Sequence, residues 1–212
     1  MRTGDLIEAL AADAKTRRTP PAAVMLPALA AAIVGAGAAL LATIGIRTDV
    51  AAALATTRFP YKFVVVLGLA IPSILLLLRL ARPAAPARGP ALALVAFPAL
   101  AAAGIVAELF AVPSQAWVPR LIGNNAAICL MVIPLLAVAP LAALLLALRQ
   151  GAPTRPALTG AVAGLAAGAV AAFLYGWHCS DDSPLFVATW YPLAICLPTA
   201  VGAAAGSRLL RW

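Results

Sequence analysis

The sequence has little charge and few titratable side chains. Only 10% of its 212 residues are Asp, Glu, Lys or Arg, and it contains a single histidine, whereas about a quarter of the residues of an average soluble protein are charged. The 64% share of hydrophobic residues and the mean hydropathy of +1.02 exclude an ordinary soluble domain. The composition predicts a membrane protein.

The sequence also lacks the motifs of the common enzyme classes. It contains no Gly-rich phosphate-binding loop, no nucleophile elbow and no C-x-x-C pair, and one histidine is a poor basis for a catalytic constellation. We therefore expect no catalytic residues, no cofactor site and no enzymatic activity.

What the sequence does contain is six apolar runs, each close to the roughly 20 residues that an α-helix needs to cross a bilayer. They cover residues 22–46, 61–78, 91–112, 126–148, 157–177 and 186–205. The alternating pattern of membrane strands is absent, which favours a helical bundle over a barrel. The sequence predicts an all-α membrane protein, with a six-helix transmembrane domain over 22–212 and a short cytoplasmic amphipathic helix within 1–21.

Basic residues are distributed unequally between the two sets of flanks. Eleven lie on the side of the termini and four on the other side, the latter being Arg47, Arg58, Lys62 and Arg120. Because cytoplasmic flanks carry the excess of Lys and Arg, both termini are predicted to be cytoplasmic in a bacterial inner membrane. The formal charge of +8 is thereby explained without a nucleic-acid partner.

Some predicted spans contain regularly spaced glycines, and several contain prolines. Gly160, Gly164 and Gly168 recur every four residues and predict a close helix–helix contact. Several prolines interrupt the predicted spans and predict kinks. They are Pro72, Pro98, Pro134, Pro140, Pro192 and Pro198.

Glu108 is the only acidic residue inside a predicted span. A carboxylate at that depth is costly unless it has a partner or reaches the interface. Arg120 and His178 are predicted on the same side of the membrane as partners. The alternative is that the Glu108 side chain snorkels to the interface without any functional role.

The stretch LYGWHCSDDSPLF, residues 174–186, holds the single histidine and falls between the last two spans. Ser183-Pro184 predicts a helix start, with the serine hydroxyl as the cap. His178, Cys179, Asp181 and Asp182 remain as a polar cluster. They are candidate metal ligands, with the imidazole and the carboxylates assisting a thiolate.

Cys129 is predicted roughly 5 Å below the outer edge of the fourth span, at 1.5 Å per residue. It therefore lies at about the depth of Cys179. The two thiols suit a soft or borderline ion such as zinc or cadmium, or a disulfide if the two Cα atoms approach within about 7 Å, or simply two inert buried thiols. Cys196, in the middle of the sixth span, best fits the inert, buried behaviour.

The N-terminal stretch TGDLIEALAADA is amphipathic when it is read as a helix. Leu6, Ile7 and Leu10 share one side. Residues 3–15 hold three acids and one base, a net charge of −2, which suits a groove on a basic protein partner better than an anionic lipid surface. The candidate partner-binding residues are Asp5, Leu6, Ile7, Glu8, Leu10 and Asp13.

Three segments together resemble one family, the negative regulators of sigma F. They are TGDLIEALAADA, CLMVIPLLAVAPLAALLLALRQGAPTRPALTGAVAGLAAG and HCSDDSPLFVATWY. The resemblance implies a six-spanning anti-sigma factor that holds an extracytoplasmic-function sigma factor inactive at the inner membrane. It further implies release on a heavy-metal or oxidative signal through two periplasmic cysteines, which match Cys129 and Cys179. Cys196 matches no such role, and a heavy-metal ion would be regulatory, with no obligatory cofactor.

Three other classes of function remain open at this point. A membrane thiol oxidoreductase normally carries a closely spaced reactive pair, and a transporter normally carries ionisable groups near the midplane. The sequence offers neither. A structural membrane protein without a soluble partner is the third alternative, and none of these three would depend on residues 1–18.

Overall fold

The computed structural model describes residues 3–5, 7–8, 20–82 and 85–211. Within them the secondary structure is helical, with no strand, and six helical segments are long and apolar enough to cross a membrane. The predicted fold class, an all-α membrane bundle, is confirmed. The helices are α1 (Pro21–Thr43), α2 (Val50–Leu54), α3 (Arg58–Leu80), α4 (Arg88–Ala93), α5 (Ala96–Ala111), α6 (Trp117–Ile122), α7 (Ala126–Leu148), α8 (Pro156–Tyr175) and α9 (Pro184–Leu209).

The third apolar run forms two helices because of a proline. Helix α4 ends at Ala93, and α5 begins at Ala96. Pro98 lies in the first turn of α5, where its missing N–H breaks no intrahelical hydrogen bond. If the helix continued through this point, the proline ring would clash with the carbonyl oxygen of Leu94, four residues earlier. The prediction that Pro98 interrupts the third span is therefore confirmed, with the break lying at Leu94 and Val95, just before the proline's own turn. Prolines inside helices are Pro27, Pro72, Pro134, Pro140, Pro192 and Pro198.

Helix α8 is the centre of the bundle. It packs against α3, α7 and α9, while α1 packs along α7. Its sequence is dominated by Ala and Gly, so neighbouring helices approach its backbone closely on several sides. Most of α8 is accordingly buried.

The glycine stripe of α8 makes the predicted contact, and α9 is its partner. A Cβ atom on Gly160 would overlap the carbonyl oxygen of Gly202, and one on Gly164 would overlap the carbonyl oxygen of Pro198. In the other direction, a Cβ on Gly206 would lie 2.6 Å from the carbonyl oxygen of Pro156. Only glycine fits at these positions, so α8 and α9 form a rigid pair.

We call residues 176–183, which join α8 to α9, the outer loop, and the end of the bundle that carries it the outer end. A short 3₁₀ turn (Ser114–Ala116), α6 and a turn at Gly123 lead into α7 beside this loop. Gly123 has φ +60°, and a Cβ there would meet Phe186 and Asp181. The left-handed backbone and the lack of a side chain let this turn approach the outer loop.

Candidate functional site

The outer loop contacts the loop that follows α1. The Nδ1 atom of His178 lies 3.1 Å from the carbonyl oxygen of Gly45. The Arg47 backbone N–H donates to the carbonyl oxygen of Trp177 at 3.1 Å, and the Arg47 guanidinium donates to that of Cys179 at 3.3 Å. The outer end of α1 is therefore tied to the residues that carry Cys179.

Asp182 joins the loop to α3 through a buried ion pair. Its carboxylate accepts from Lys62 Nζ at 2.6 Å and from Arg47 Nη1 at 2.6 Å. Lys62 is fully buried, and it also donates to the Cys179 carbonyl oxygen at 3.0 Å. Two cations therefore converge on Asp182 and on the backbone of Cys179, which fixes the position of that residue.

Arg47 also binds Asp49, an exposed residue of the loop after α1, with Nε 2.6 Å from Oδ1. This hydrogen bond lowers the pKa of the Asp49 carboxyl to about 2. The same contact, with a further contribution from Asp182, raises the pKa of the Arg47 guanidinium. The Asp49 carboxylate and the Arg47 guanidinium are therefore both charged at neutral pH, so the contact between them persists over the physiological range.

Asp181 binds the start of α7. Its Oδ2 atom accepts from the backbone N–H groups of Asn124 and Asn125 at 3.0 and 2.8 Å, and from Asn125 Nδ2 at 2.8 Å. A carboxylate is favourable there because unpaired N–H groups and the positive end of the helix dipole lie together. Asp181 therefore fixes the outer loop to the helix that carries Cys129.

Glu108 connects the loop to α5. It is 3% exposed, and its carboxylate accepts from Arg120 Nη1 at 2.6 Å and from Arg58 Nε at 2.8 Å. Arg120 was predicted as a partner, whereas Arg58 was not. The Ser183 hydroxyl donates to Glu108 at 3.4 Å and makes no cap hydrogen bond to α9. The predicted helix start at Ser183-Pro184 is correct, but the predicted hydroxyl cap is wrong.

Cys129 and Cys179 are both completely buried free thiols. They are close enough to interact electrostatically, and the Cys179 Sγ atom lies 3.8 Å from the Asp181 carbonyl oxygen. Burial raises the pKa of the Cys179 thiol, and the nearby Lys62 ammonium offsets this only in part. Without a ligand, Cys179 is therefore protonated at neutral pH.

The side chains of Tyr175 and Tyr191 adjoin the two thiols. Their rings lie 6.3 Å apart, and each hydroxyl interacts electrostatically with both cysteines. Neither hydroxyl makes a hydrogen bond of normal geometry with any described residue. We refer to Cys129, Cys179, Tyr175 and Tyr191 as the thiol–tyrosine cluster.

The predicted sensing residues are thus brought to one end of the bundle but not into one ligand set. Among the described residues, no three His, Cys, Asp or Glu side chains are placed to hold a metal ion together. Asp181 binds the start of α7, His178 binds the loop after α1, and Asp182 binds both that loop and α3. The two thiols adjoin the tyrosines instead. Cys196 is exposed on the surface of α9, not buried as predicted.

The predicted partner-binding segment, residues 1–21, which we call the head, lies at the N-terminus, far along the chain from the outer loop. Asp5, Ile7 and Glu8 are helical and exposed, with Ile7 62% exposed. Leu6, Leu10 and Asp13 lie outside the described residues. The exposed apolar side chain of Ile7 is accessible to a partner.

Comparison with known proteins gives one family. A family model described as negative regulator of sigma F matches residues 10–212. The chain belongs to this family. Two relatives align with it over the full length of both chains: the anti-sigma-F factor NrsF of Caulobacter vibrioides, 40% identical, and the probable anti-sigma-F factor NrsF of Azospira oryzae, 39% identical. No solved structure matches.

The sequence pattern alone missed three kinds of residue in this chain. Lys62 was counted among the flanking bases, although an ionisable residue within an apolar run indicates a buried partner or a functional site. The loop after α1, with Arg47 and Asp49, carried no motif. Tyr175 and Tyr191 were read as parts of spans, because only the packing of α8 against α9 brings their hydroxyls to the thiols.

Proposed function

We propose that this protein is a transmembrane anti-sigma factor. It holds an extracytoplasmic-function sigma factor at the inner membrane through its N-terminal head, and it releases that factor when a heavy metal or an oxidant acts on Cys129 and Cys179. The full-length match to relatives named as anti-sigma-F factors supports the regulatory role. The observation that carries the sensing role is that the outer loop, with Cys179, is bonded to the loop after α1, to α3, to α5 and to the start of α7.

The head supplies the interaction with the sigma factor. An amphipathic acidic helix suits an apolar groove with a basic rim, and the exposed Ile7 side chain is available for such a groove. Asp5, Leu6, Glu8, Leu10 and Asp13 complete the proposed binding face. Occupation of the groove would keep the sigma factor from RNA polymerase without any contact between this protein and DNA.

The two thiols sense the signal. Cys129 belongs to α7 and Cys179 to the outer loop, so an ion bound by both sulfur atoms, or a disulfide, links two separate segments. Binding of a divalent ion displaces the thiol protons. Oxidation by a peroxide would form one S–S bond, with two electrons passing to the oxidant and two protons leaving the thiols.

A contiguous path joins the thiols to the head. The outer loop binds Gly45 and Arg47 immediately after α1, and α1 packs along α7. The inner end of α1 begins at Pro21, directly after the head. A shift of the outer loop or of α7 therefore moves the helix to which the head is attached, and the ligand drives release only if it binds the two arrangements with different free energies.

Replacing both Cys129 and Cys179 with serine is expected to abolish induction, because the soft sulfur donors are lost while the volume of each side chain is nearly kept. Cadmium should raise sigma-dependent transcription in cells with the unmodified protein, measured with a reporter gene, and should leave it repressed in cells with the double variant. Cys196→Ser is the matched control and should respond like the unmodified protein. Full induction of the double variant by cadmium would refute the sensing role.

A further inference from the structure

The thiol–tyrosine cluster contains two polar groups for which the described residues supply only the weakly polar Cys179 thiol. Tyr175 is 0% exposed and Tyr191 is 1% exposed, yet neither hydroxyl makes a hydrogen bond of normal geometry with a described residue. Buried hydroxyl groups are normally paired, because an unpaired one loses its hydration without compensation. Two such groups side by side indicate a site built for something that the protein chain does not supply.

The four members of the cluster come from separate elements around one point. Cys129 lies on α7, Tyr175 ends α8, Cys179 lies on the outer loop and Tyr191 lies on α9. Both hydroxyls lie close to the Cys179 thiol and near enough to Cys129 to interact with it electrostatically. The third tyrosine, Tyr61, differs: its hydroxyl donates to the carbonyl oxygen of Leu100, away from the thiols.

The chemistry of these groups suits a particular class of ligand. Two thiolates and two oxygen atoms give four donors, the number that zinc-like ions take in tetrahedral sites. A divalent ion that displaces both thiol protons leaves the net charge of the buried site unchanged, and its bonds to the two thiolates offset the cost of removing it from water. The neutral phenol groups add donors without adding charge.

We propose that Tyr175 and Tyr191 complete the binding site of a soft divalent metal ion, their phenolic oxygens adding to the sulfur atoms of Cys129 and Cys179. This inference rests on the proposed sensing role of the two thiols and names further ligands for it. One ion releases two protons, one from each thiol, and forms two metal–sulfur bonds. The bound ion joins α7, α8, α9 and the outer loop, which is a stronger constraint than a link between two cysteines alone.

The test is a cadmium titration of the full-length protein in detergent, with a competing chelator to report the dissociation constant. Tyr175→Phe and Tyr191→Phe each remove one hydroxyl and keep the ring. Each is expected to raise the dissociation constant by about tenfold or more, the scale of loss when a group supporting a metal site is removed. Tyr61→Phe is the matched control and should bind as the unmodified protein does.

A spectroscopic measurement on the Tyr61→Phe protein keeps the test independent of how the other variants fold, since its remaining tyrosines are Tyr175 and Tyr191. Cadmium is expected to perturb the vibrational bands of tyrosine in this protein. Unchanged dissociation constants in both phenylalanine variants, or tyrosine bands that do not respond to bound cadmium, would overturn the inference.

The cysteine variants separate this inference from the proposed function. If Cys129→Ser and Cys179→Ser abolish cadmium binding while the phenylalanine variants bind normally, the tyrosines are not ligands and the sensing role stands. If the unmodified protein binds no cadmium, or binds it equally without the two cysteines, this inference fails together with the metal-sensing part of the proposed function, while sensing of an oxidant and sequestration of the sigma factor are judged by their own experiments.

Discussion

Asp182→Asn is expected to destabilise the protein by about 3–5 kcal/mol, the usual cost of leaving one partner of a buried ion pair uncompensated. Lys62 is fully buried and binds the Asp182 carboxylate at 2.6 Å. The asparagine side chain has nearly the same shape, so the loss reports the charge and not a cavity. Thermal unfolding of the purified protein in detergent measures the difference, and hydrogen exchange should locate it at the outer end.

Two further variants distinguish a charge effect from a packing effect. Asp49→Asn removes the other carboxylate that binds Arg47, but that side chain is 56% exposed, so its loss should be far milder. Adding Lys62→Met to Asp182→Asn removes the stranded ammonium group and should recover much of the lost stability. Equal destabilisation by Asp49→Asn and Asp182→Asn would contradict the buried-pair account.

Deleting residues 1–18 is expected to abolish binding of the sigma factor completely and to leave the bundle intact. The head precedes α1 and supplies the whole proposed binding face, whereas the six spans lie beyond it. The measurement is the amount of sigma factor that co-purifies with the protein from detergent-solubilised membranes, normalised to a C-terminal tag. A transporter, a thiol oxidoreductase or a structural membrane protein would not lose its role on this deletion.

Ile7→Asp is a sharper version of the same experiment. It places a charge on the apolar side of the head and changes no residue of the bundle, so sigma-factor binding should fall while the yield of membrane protein stays the same. Retention of the sigma factor by the deleted protein would contradict the assignment of residues 1–21 as the binding segment.

The bundle was predictable because the bilayer imposes simple rules on sequence. Crossing the membrane requires long apolar runs, and the fourth run, 126–148, coincides with α7 (Ala126–Leu148). The glycine spacing of α8 predicted a close neighbour, although only the structure identifies α9. The position of the break before α5 was harder to predict, because the ring of Pro98 clashes with a carbonyl group in the preceding turn and so breaks the helix before the proline itself.

The sequence predicted which residues belong to the site better than it predicted how they contact one another. The density of polar residues in 178–183 marked the outer loop, and charge pairing suggested Arg120 for Glu108. No motif indicated that Asp181 binds the start of α7 while His178 and Asp182 bind the loop after α1, because those contacts depend on residues far away in the chain. The partners of Asp182, Lys62 and Arg47, lie more than a hundred positions earlier in the sequence.

The account requires that the thiols and the head lie on opposite sides of the membrane, and cysteine labelling in intact cells tests this most directly. Thr3→Cys and Ser180→Cys, both at exposed positions, are introduced one at a time into a protein whose three native cysteines are replaced by serine. A maleimide that cannot cross the membrane should modify position 180 in intact cells and position 3 only after permeabilisation. Modification of position 3 but not position 180 in intact cells would contradict the account.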